Sequence, residues 1–256
     1  MSQPPSAPMG AAKKPIVYLG LPYHKDILPE TMLCCSTHAS DGSCAIIFPP
    51  PTKGSILPDV FNRIWCEARK MRKQIPITHF VMVHSDIRPD IHFVDVLVRE
   101  QVGTGADIVS AVVPIKDRRG LTSTAVDSPA GPRRLTMKEV FRLPETFGLN
   151  DVKKTLLVPS WHGPLVVNTG CWVCDFTRPW VDKVHFEFQT AILEDKDGNP
   201  YPVRCGEDWI FSRDVQRLGG TILATRKVRL NHYGDDGAYT NAYSWGEWET
   251  DKEGSE

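Results

Sequence analysis

The chain has 256 residues, 41% of them hydrophobic and 24% charged, with a formal net charge of -1. This is enough apolar material for one sizeable core, and it excludes a charge-rich disordered chain and a global basic field for nucleic acid. No run approaches the ~20 apolar residues that cross a bilayer, residues 1–12 lack the apolar block of a signal peptide, and seven cysteines suit a reducing cytosol better than a disulfide framework. The expectation is therefore a soluble, cytoplasmic protein with no membrane insertion.

Residues 1–14 read as a disordered leader. Residues 16–21 are a short apolar run closed by Pro22 and predict a buried first strand. Residues 44–48 predict a second, stopped by Pro49, Pro50 and Pro51. Pro58 stands where a helix over 58–74 begins, with Val60, Ile64, Ala68 and Met71 at helical spacing. Beyond Pro76, residues 79–84 carry Phe80-Val81-Met82-Val83, too apolar for an exposed edge, and predict a central strand. The polar turn from Ser85 to Pro89 leads into a helix through Ile91, Val94, Leu97 and Val98, ended by Gly103 and Gly105. Residues 108–115 predict another buried strand. This alternation implies an α/β fold, a mostly parallel central sheet flanked by helices.

The second half is less regular. Residues 121–155 are polar with scattered prolines and predict loops and short hairpins. Val166-Val167 and Cys171-Trp172-Val173 read as strand pieces around the turn Asn168-Thr169-Gly170. A helix over 207–218 ends at Gly219-Gly220, and residues 221–224 and 227–231 are the last strands. Residues 246–256 form an acidic tail. The simplest organisation is one domain over residues 15–245, with a regular half (about 15–120) and a less regular half (about 121–245).

Three places carry candidate chemistry. Asp86 sits two residues past the most apolar strand, at the sheet edge where ligands gather in open α/β folds. A carboxylate there suits a hard divalent ion, or it is a turn aspartate bonded to its own backbone. In Gly206-Glu207-Asp208-Trp209, two adjacent carboxylates open a helix. They complement the helix dipole, or one of them is a general base; the helix N-terminus favours the charged form, which makes a weaker base. His232, in Asn231-His232-Tyr233-Gly234, is a core histidine or a nitrogen ligand, acceptable to manganese more readily than to magnesium.

Two motifs are set aside. Cys171 and Cys174 have the spacing of a metal knuckle, but positions three apart in a strand face opposite ways. Gly103-Thr104-Gly105 lacks a third glycine and follows a helix, so it is no dinucleotide fingerprint.

Taken in order, these pieces resemble the GT-A glycosyltransferases, especially the inverting family 2 type, from about residue 16 to residue 234. His84-Ser85-Asp86-Ile87 resembles the family's Asp-x-Asp signature with His84 in the first acidic place. Val113-Pro114-Ile115-Lys116 resembles the strand and basic residue that follow it, and Asn168-Thr169-Gly170-Cys171 resembles the glycine turn lining donor sugar and acceptor. Gly206-Glu207-Asp208 resembles the Glu-Asp motif, and His232 falls at a late metal-binding histidine. The resemblance implies transfer from a nucleotide-diphosphate sugar, UDP-sugar foremost, with inversion. Asp208 would be the base, and Asp86 and His232 would hold a divalent metal, Mn2+ or Mg2+. Pro22, Tyr23, Arg63, Ser85, Lys116 and Gly170 would bind the donor. Glu207, Trp172 and Trp209, with Trp161 and His162, would face the acceptor, which is nucleic acid, protein or a small molecule. Basic residues from Arg118 to Arg134 leave room for a modified nucleobase in DNA. The alternatives are a non-catalytic nucleotide-sugar binding protein and a sugar nucleotidyltransferase. The second is disfavoured because Leu21-Pro22-Tyr23-His24-Lys25 contains no glycine.

Overall fold

The alternating apolar segments assemble into a seven-stranded central sheet in the computed structural model, which describes residues 14–128, 131–156 and 163–248. Trp161, His162, residues 1–13 of the leader and residues 249–256 of the tail lie outside the described residues. In chain order the sheet strands are β1 (Ile16–Gly20), β2 (Ala45–Ile47), β3 (His79–Val83), β4 (Ile108–Ala111), β5 (Thr146–Phe147), β6 (Cys171–Asp175) and β7 (Ile222–Thr225). Across the sheet their order is β5-β7-β4-β6-β3-β1-β2. β1 pairs in parallel with β2 and β3, and β4 with β7. β6 runs antiparallel between β3 and β4, and β5 antiparallel along β7. Five of the seven strands thus run one way, with β6 reversed near the middle and β5 reversed at one edge.

Period-two alternation sorts side chains onto two faces. Tyr18, Phe80, Met82, Trp172 and Cys174 join one core cluster, and Val17, Leu19, Val81, Cys171 and Val173 the other. Helices α1 (Pro29–Thr37) and α3 (Phe93–Thr104) contribute Cys35, Phe93 and Leu97 to the second cluster. On the opposite face lies α2 (Leu57–Arg72), which buries Phe61, Ile64 and Trp65. Trp65 is the hub: its ring centroid lies 4.8 Å from Phe80, 5.0 Å from Phe176 and 6.1 Å from Trp172. Its Nε1–H donates to the Val181 carbonyl at 3.2 Å, which satisfies the indole's polar end.

Cys171 and Cys174 do face opposite sides, and all seven cysteines are free thiols. Gly103-Thr104-Gly105 closes α3, where Gly105 takes a left-handed cap (φ 68°) and its amide bonds the Gln101 carbonyl. No helix among the described residues is long and apolar enough to cross a membrane.

Several elements differ from the sequence expectation for identifiable reasons. α1 is unforeseen because its buried residues, Thr31, Cys34 and Cys35, are small or polar. The strand expected over 108–115 stops at Ala111, because Pro114 has no amide for a ladder; the chain turns away and Pro114 pairs with Thr122. Residues 121–155 hold an expected hairpin, Leu121–Val126 with Arg133–Thr136, which also pairs with Leu165–Val166, and beyond it two unforeseen helices, α4 (Met137–Val140) and α5 (Leu149–Leu156). The hairpin Gln189–Glu194 with Pro200–Cys205 stands exposed, so burial left no pattern in it. Its turn was nonetheless written in Asp195-Lys196-Asp197-Gly198-Asn199, where Asp195 Oδ1 accepts from the amides of Asp197 and Asn199.

Candidate active site

β3 runs out at Val83, and the backbone amide of His84 donates to the Gly170 carbonyl at 2.8 Å, which extends the β3–β6 ladder by one step. The chain then turns through His84-Ser85-Asp86 and re-enters as the strand Ile87–Pro89. That strand pairs with Leu230–Gly234, with His232 opposite Ile87, and the Tyr233 amide donates to the Asp86 carbonyl at 2.9 Å. Residues 86 and 232, far apart in the chain, are thereby set side by side. His232 Nε2 lies 3.5 Å from Asp86 Oδ2. On the other side of the ring, Nδ1 lies 2.7 Å from the Pro114 carbonyl, a contact that fixes the ring's orientation. Two residues beyond Pro114, Lys116 brings its Nζ to 2.5 Å from the same Oδ2.

These neighbours set the electrostatics. Burial alone would raise the Asp86 carboxyl, but the His232 hydrogen bond and the Lys116 contact outweigh it and hold it well below the usual carboxylate range. Burial pushes the His84 imidazole down to about 4, against the pull of Asp86 and with help from His232 and Lys116, so it is neutral at pH 7. His84 Nε2 is buried with no hydrogen-bond partner among the described residues, and the ring centroid lies 5.0 Å from that of Phe61.

The second carboxylate centre sits at the start of α6 (Glu207–Arg217). The helix is fastened below the site: Ser212 Oγ takes the Val167 amide at 3.1 Å, and Arg213 makes a two-pronged contact with Asp127 at 2.6 and 2.7 Å. Asp208 Oδ1 accepts the Trp209 amide at 2.8 Å, and Oδ2 lies 3.5 Å from Asn168 Nδ2. Sequence reasoning expected the helix terminus to favour the charged form. Instead burial, and next the Glu207 charge, push Asp208 up to about 7, with the Trp209 amide and Arg134 opposing. Desolvation wins over the helix dipole because one turn of helix offers only about a kcal/mol.

Asn168 and Gly170 join the two centres. Asn168 Oδ1 accepts the Gly170 amide, while the Gly170 carbonyl holds His84. A Cβ on Gly170 would come within 2.7 Å of Ile87 Cδ1, so the turn can approach this closely only without a side chain. The chain Asp208–Asn168–Gly170–His84–Asp86 therefore places both carboxylates on the carboxyl edge of β3 and β4.

The remaining predicted residues divide. Pro22 and Tyr23 pair with Thr52 and Lys53 beyond β1, and Lys53 Nζ lies 5.9 Å from the Tyr23 ring centroid. Arg63 joins them, but its guanidinium already serves the Lys53 carbonyl (2.7 Å) and Asp59 (3.2 Å). The Ser85 carbonyl accepts the Leu28 amide at 3.0 Å. Trp209 is half-buried, its Nε1–H given to the Ser123 carbonyl at 3.1 Å and Arg134 4.5 Å above its ring. Glu207 is 8% exposed, and burial raises its carboxyl. Trp172 requires a correction: it is 1% exposed and packed against Trp65 and Phe211, a core residue with no face for an acceptor. In β6 it shares the inward face with Cys174, and that alternation was the available signal.

As ligands, Asp86 and His232 offer one oxygen and one nitrogen, and among the described residues no group of three or more His, Cys, Asp or Glu is placed to hold a metal ion. Two protein donors fit an ion such as Mg2+ or Mn2+ that completes its shell with phosphate oxygens and water. The Nδ1 contact to a backbone carbonyl is the outer-shell bond that metal-binding histidines make.

No family model matches the chain, and no curated protein matches it in sequence. In fold it is similar to A197 from STIV. The likeness to A197 has a TM-score of 0.50 at 11% identity and covers 87% of each chain; at that identity it speaks of fold alone.

Sequence reasoning missed Asn168 as a link, the Pro114 carbonyl as the anchor of His232, and Arg134 as a neighbour of Trp209. Asn168 stood in the glycine turn already singled out; the other two arise only from tertiary pairing.

Proposed function

We propose that the protein is a glycosyltransferase of the GT-A type, moving a sugar from a nucleotide-diphosphate donor to an acceptor hydroxyl with inversion. The observation that carries this reading is Asp208, a carboxylate whose pKa of about 7 suits a general base, tied through Asn168 and Gly170 to the corner formed by Asp86, Lys116 and His232. In the proposed step the acceptor oxygen forms a bond to the anomeric carbon as the bond to the phosphate oxygen breaks. The acceptor proton passes to Asp208, and the electron pair of the broken bond stays on the departing diphosphate.

Lys116 supplies positive charge for that leaving group, and Asp86 and His232 are the residues that would hold a divalent cation. Such an ion, when bound, offers Lewis-acid stabilisation of the diphosphate. The close-packed Gly170 turn sets the edge against which the donor sugar would lie, and Tyr23 with Lys53 offers a ring and a cation beyond β1 for the nucleoside. Trp209 and Arg134 form the wall nearest the base and face the acceptor.

The test is a thermal-shift screen of nucleotide sugars with and without MnCl2, followed by NMR assignment of the product anomer. Stabilisation by one nucleotide sugar and an inverted product support the reading. A retained anomer removes Asp208 as base, and indifference to every nucleotide sugar removes the glycosyltransferase assignment.

A further inference from the structure

Resting on the reading just given, we infer that Lys116 is a resident counter-ion of Asp86 that yields the carboxylate to a divalent cation and turns its ammonium to the diphosphate, so that cation and nucleotide bind cooperatively. The geometry sets up a competition. Lys116 Nζ lies 2.5 Å from Asp86 Oδ2, the same oxygen that His232 Nε2 faces at 3.5 Å. An ammonium and a divalent cation cannot share one oxygen at such distances without strong repulsion. A cation arriving alone must therefore first displace the lysine.

The surroundings let the lysine leave without moving the backbone. Pro114 is fixed by its bridge to Thr122, and the Ile115 amide bonds the Leu121 carbonyl at 2.9 Å, so the main chain before Lys116 is pinned. Beside the stem stands Gly234, where a Cβ would lie 3.2 Å from Lys116 Cβ and 3.4 Å from its Cδ. The glycine leaves the aliphatic stem room to swing. Both partners are partly open, with side chains 36% and 39% exposed, so a released ammonium meets an incoming ligand instead of the core. Once off Asp86, that charge is available to a diphosphate at the same edge. Each ligand thus removes an obstacle to the other, and the coupling is reciprocal.

The experiment is calorimetric titration of the full-length protein with MnCl2 alone, then with UDP, GDP, CDP and ADP in MnCl2 or in EDTA. Wild type is compared with Lys116→Met, Lys116→Gln, Lys116→Arg and Asp86→Asn, each checked for an intact unfolding transition; the second neutral variant covers the case that the first misfolds. Removing the ammonium is expected to tighten Mn2+ binding about three- to tenfold and to shrink, without abolishing, the gain in nucleoside-diphosphate affinity that Mn2+ confers, since the ion keeps its own contact with the phosphates. Lys116→Arg should stay near wild type in both. Unchanged or weaker Mn2+ binding by the neutral variants overturns the inference while leaving the glycosyltransferase reading intact. Mn2+ binding that survives Asp86→Asn, or no binding of any nucleoside diphosphate, sinks that reading and the inference together.

Discussion

Asn168 holds the Gly170 amide with its Oδ1 and stands with its Nδ2 3.5 Å from Oδ2 of Asp208, so one amide side chain both shapes a turn and faces the proposed base. Asn168→Ala deprives a half-buried backbone N–H of its acceptor and should cost about 1–2 kcal/mol. Urea unfolding should show this as a lower midpoint with an unchanged slope. Activity should fall further than stability, because the turn and Asp208 lose their common tether.

The rate should follow the ionisation of Asp208. Burial and Glu207 hold its carboxyl at about 7, and only the charged form accepts a proton. The expected kcat/KM profile therefore rises through about pH 7 and levels above it, with Asp208→Asn losing about 10²–10⁴-fold in kcat. A profile flat from pH 5 to 8 would contradict the assignment.

Stability should respond in the opposite sense. A carboxyl whose folded pKa is raised contributes stability that is fully present below its unfolded value, near 4, and is lost as pH climbs through about 7. Wild type should thus lose stability across that window by something on the order of 2–4 kcal/mol that Asp208→Asn does not lose. Melting curves of both proteins at pH 5 and pH 8 give the comparison, with the variant gaining on wild type at the higher pH.

Gly170→Ala places a methyl 2.7 Å from Ile87 Cδ1. Because Ile87 is fully buried, it has little room to yield, and overpacking of this kind costs about 1–3 kcal/mol. Donor affinity should weaken together with the melting temperature.

Trp172→Ala should destabilise by about 3–5 kcal/mol, as for a fully buried large aromatic. The milder Trp172→Phe should leave the acceptor KM unchanged. A selective rise in that KM would return Trp172 to the acceptor site.

Legibility followed burial. β1 and β3 could be read because they are continuous apolar runs buried on both faces, as with Phe80-Val81-Met82-Val83, and α2 because its apolar residues recur at helical spacing on one buried face. α1 and the hairpin before α6 escaped because Thr31 and the cysteines of α1 are not strongly apolar and the hairpin meets solvent. In the site, Asp86, Lys116, His232, Glu207 and Asp208 could be picked out by residue type and position. Their protonation could not: Asp208 at a helix start looks readily ionised in sequence, and only the fold shows how little water reaches it. Trp172 was misassigned because a tryptophan beside a glycine turn looks the same in sequence whether it points at a ligand or at Trp65.

The reversed strand β6 carries a consequence for how the chain is made. It completes the seam between β3 and β4, yet it is synthesised some 60 residues after β4 begins. Until residue 175 has left the ribosome, Val83 and Ser110 have no neighbour between them, and β7, the next partner of β4, comes later still. A fragment ending near residue 120 would present two raw sheet edges and should aggregate instead of folding. Residues 15–120 and 121–245 are therefore one cooperative unit, and exchanging either as a module would break the sheet at its middle.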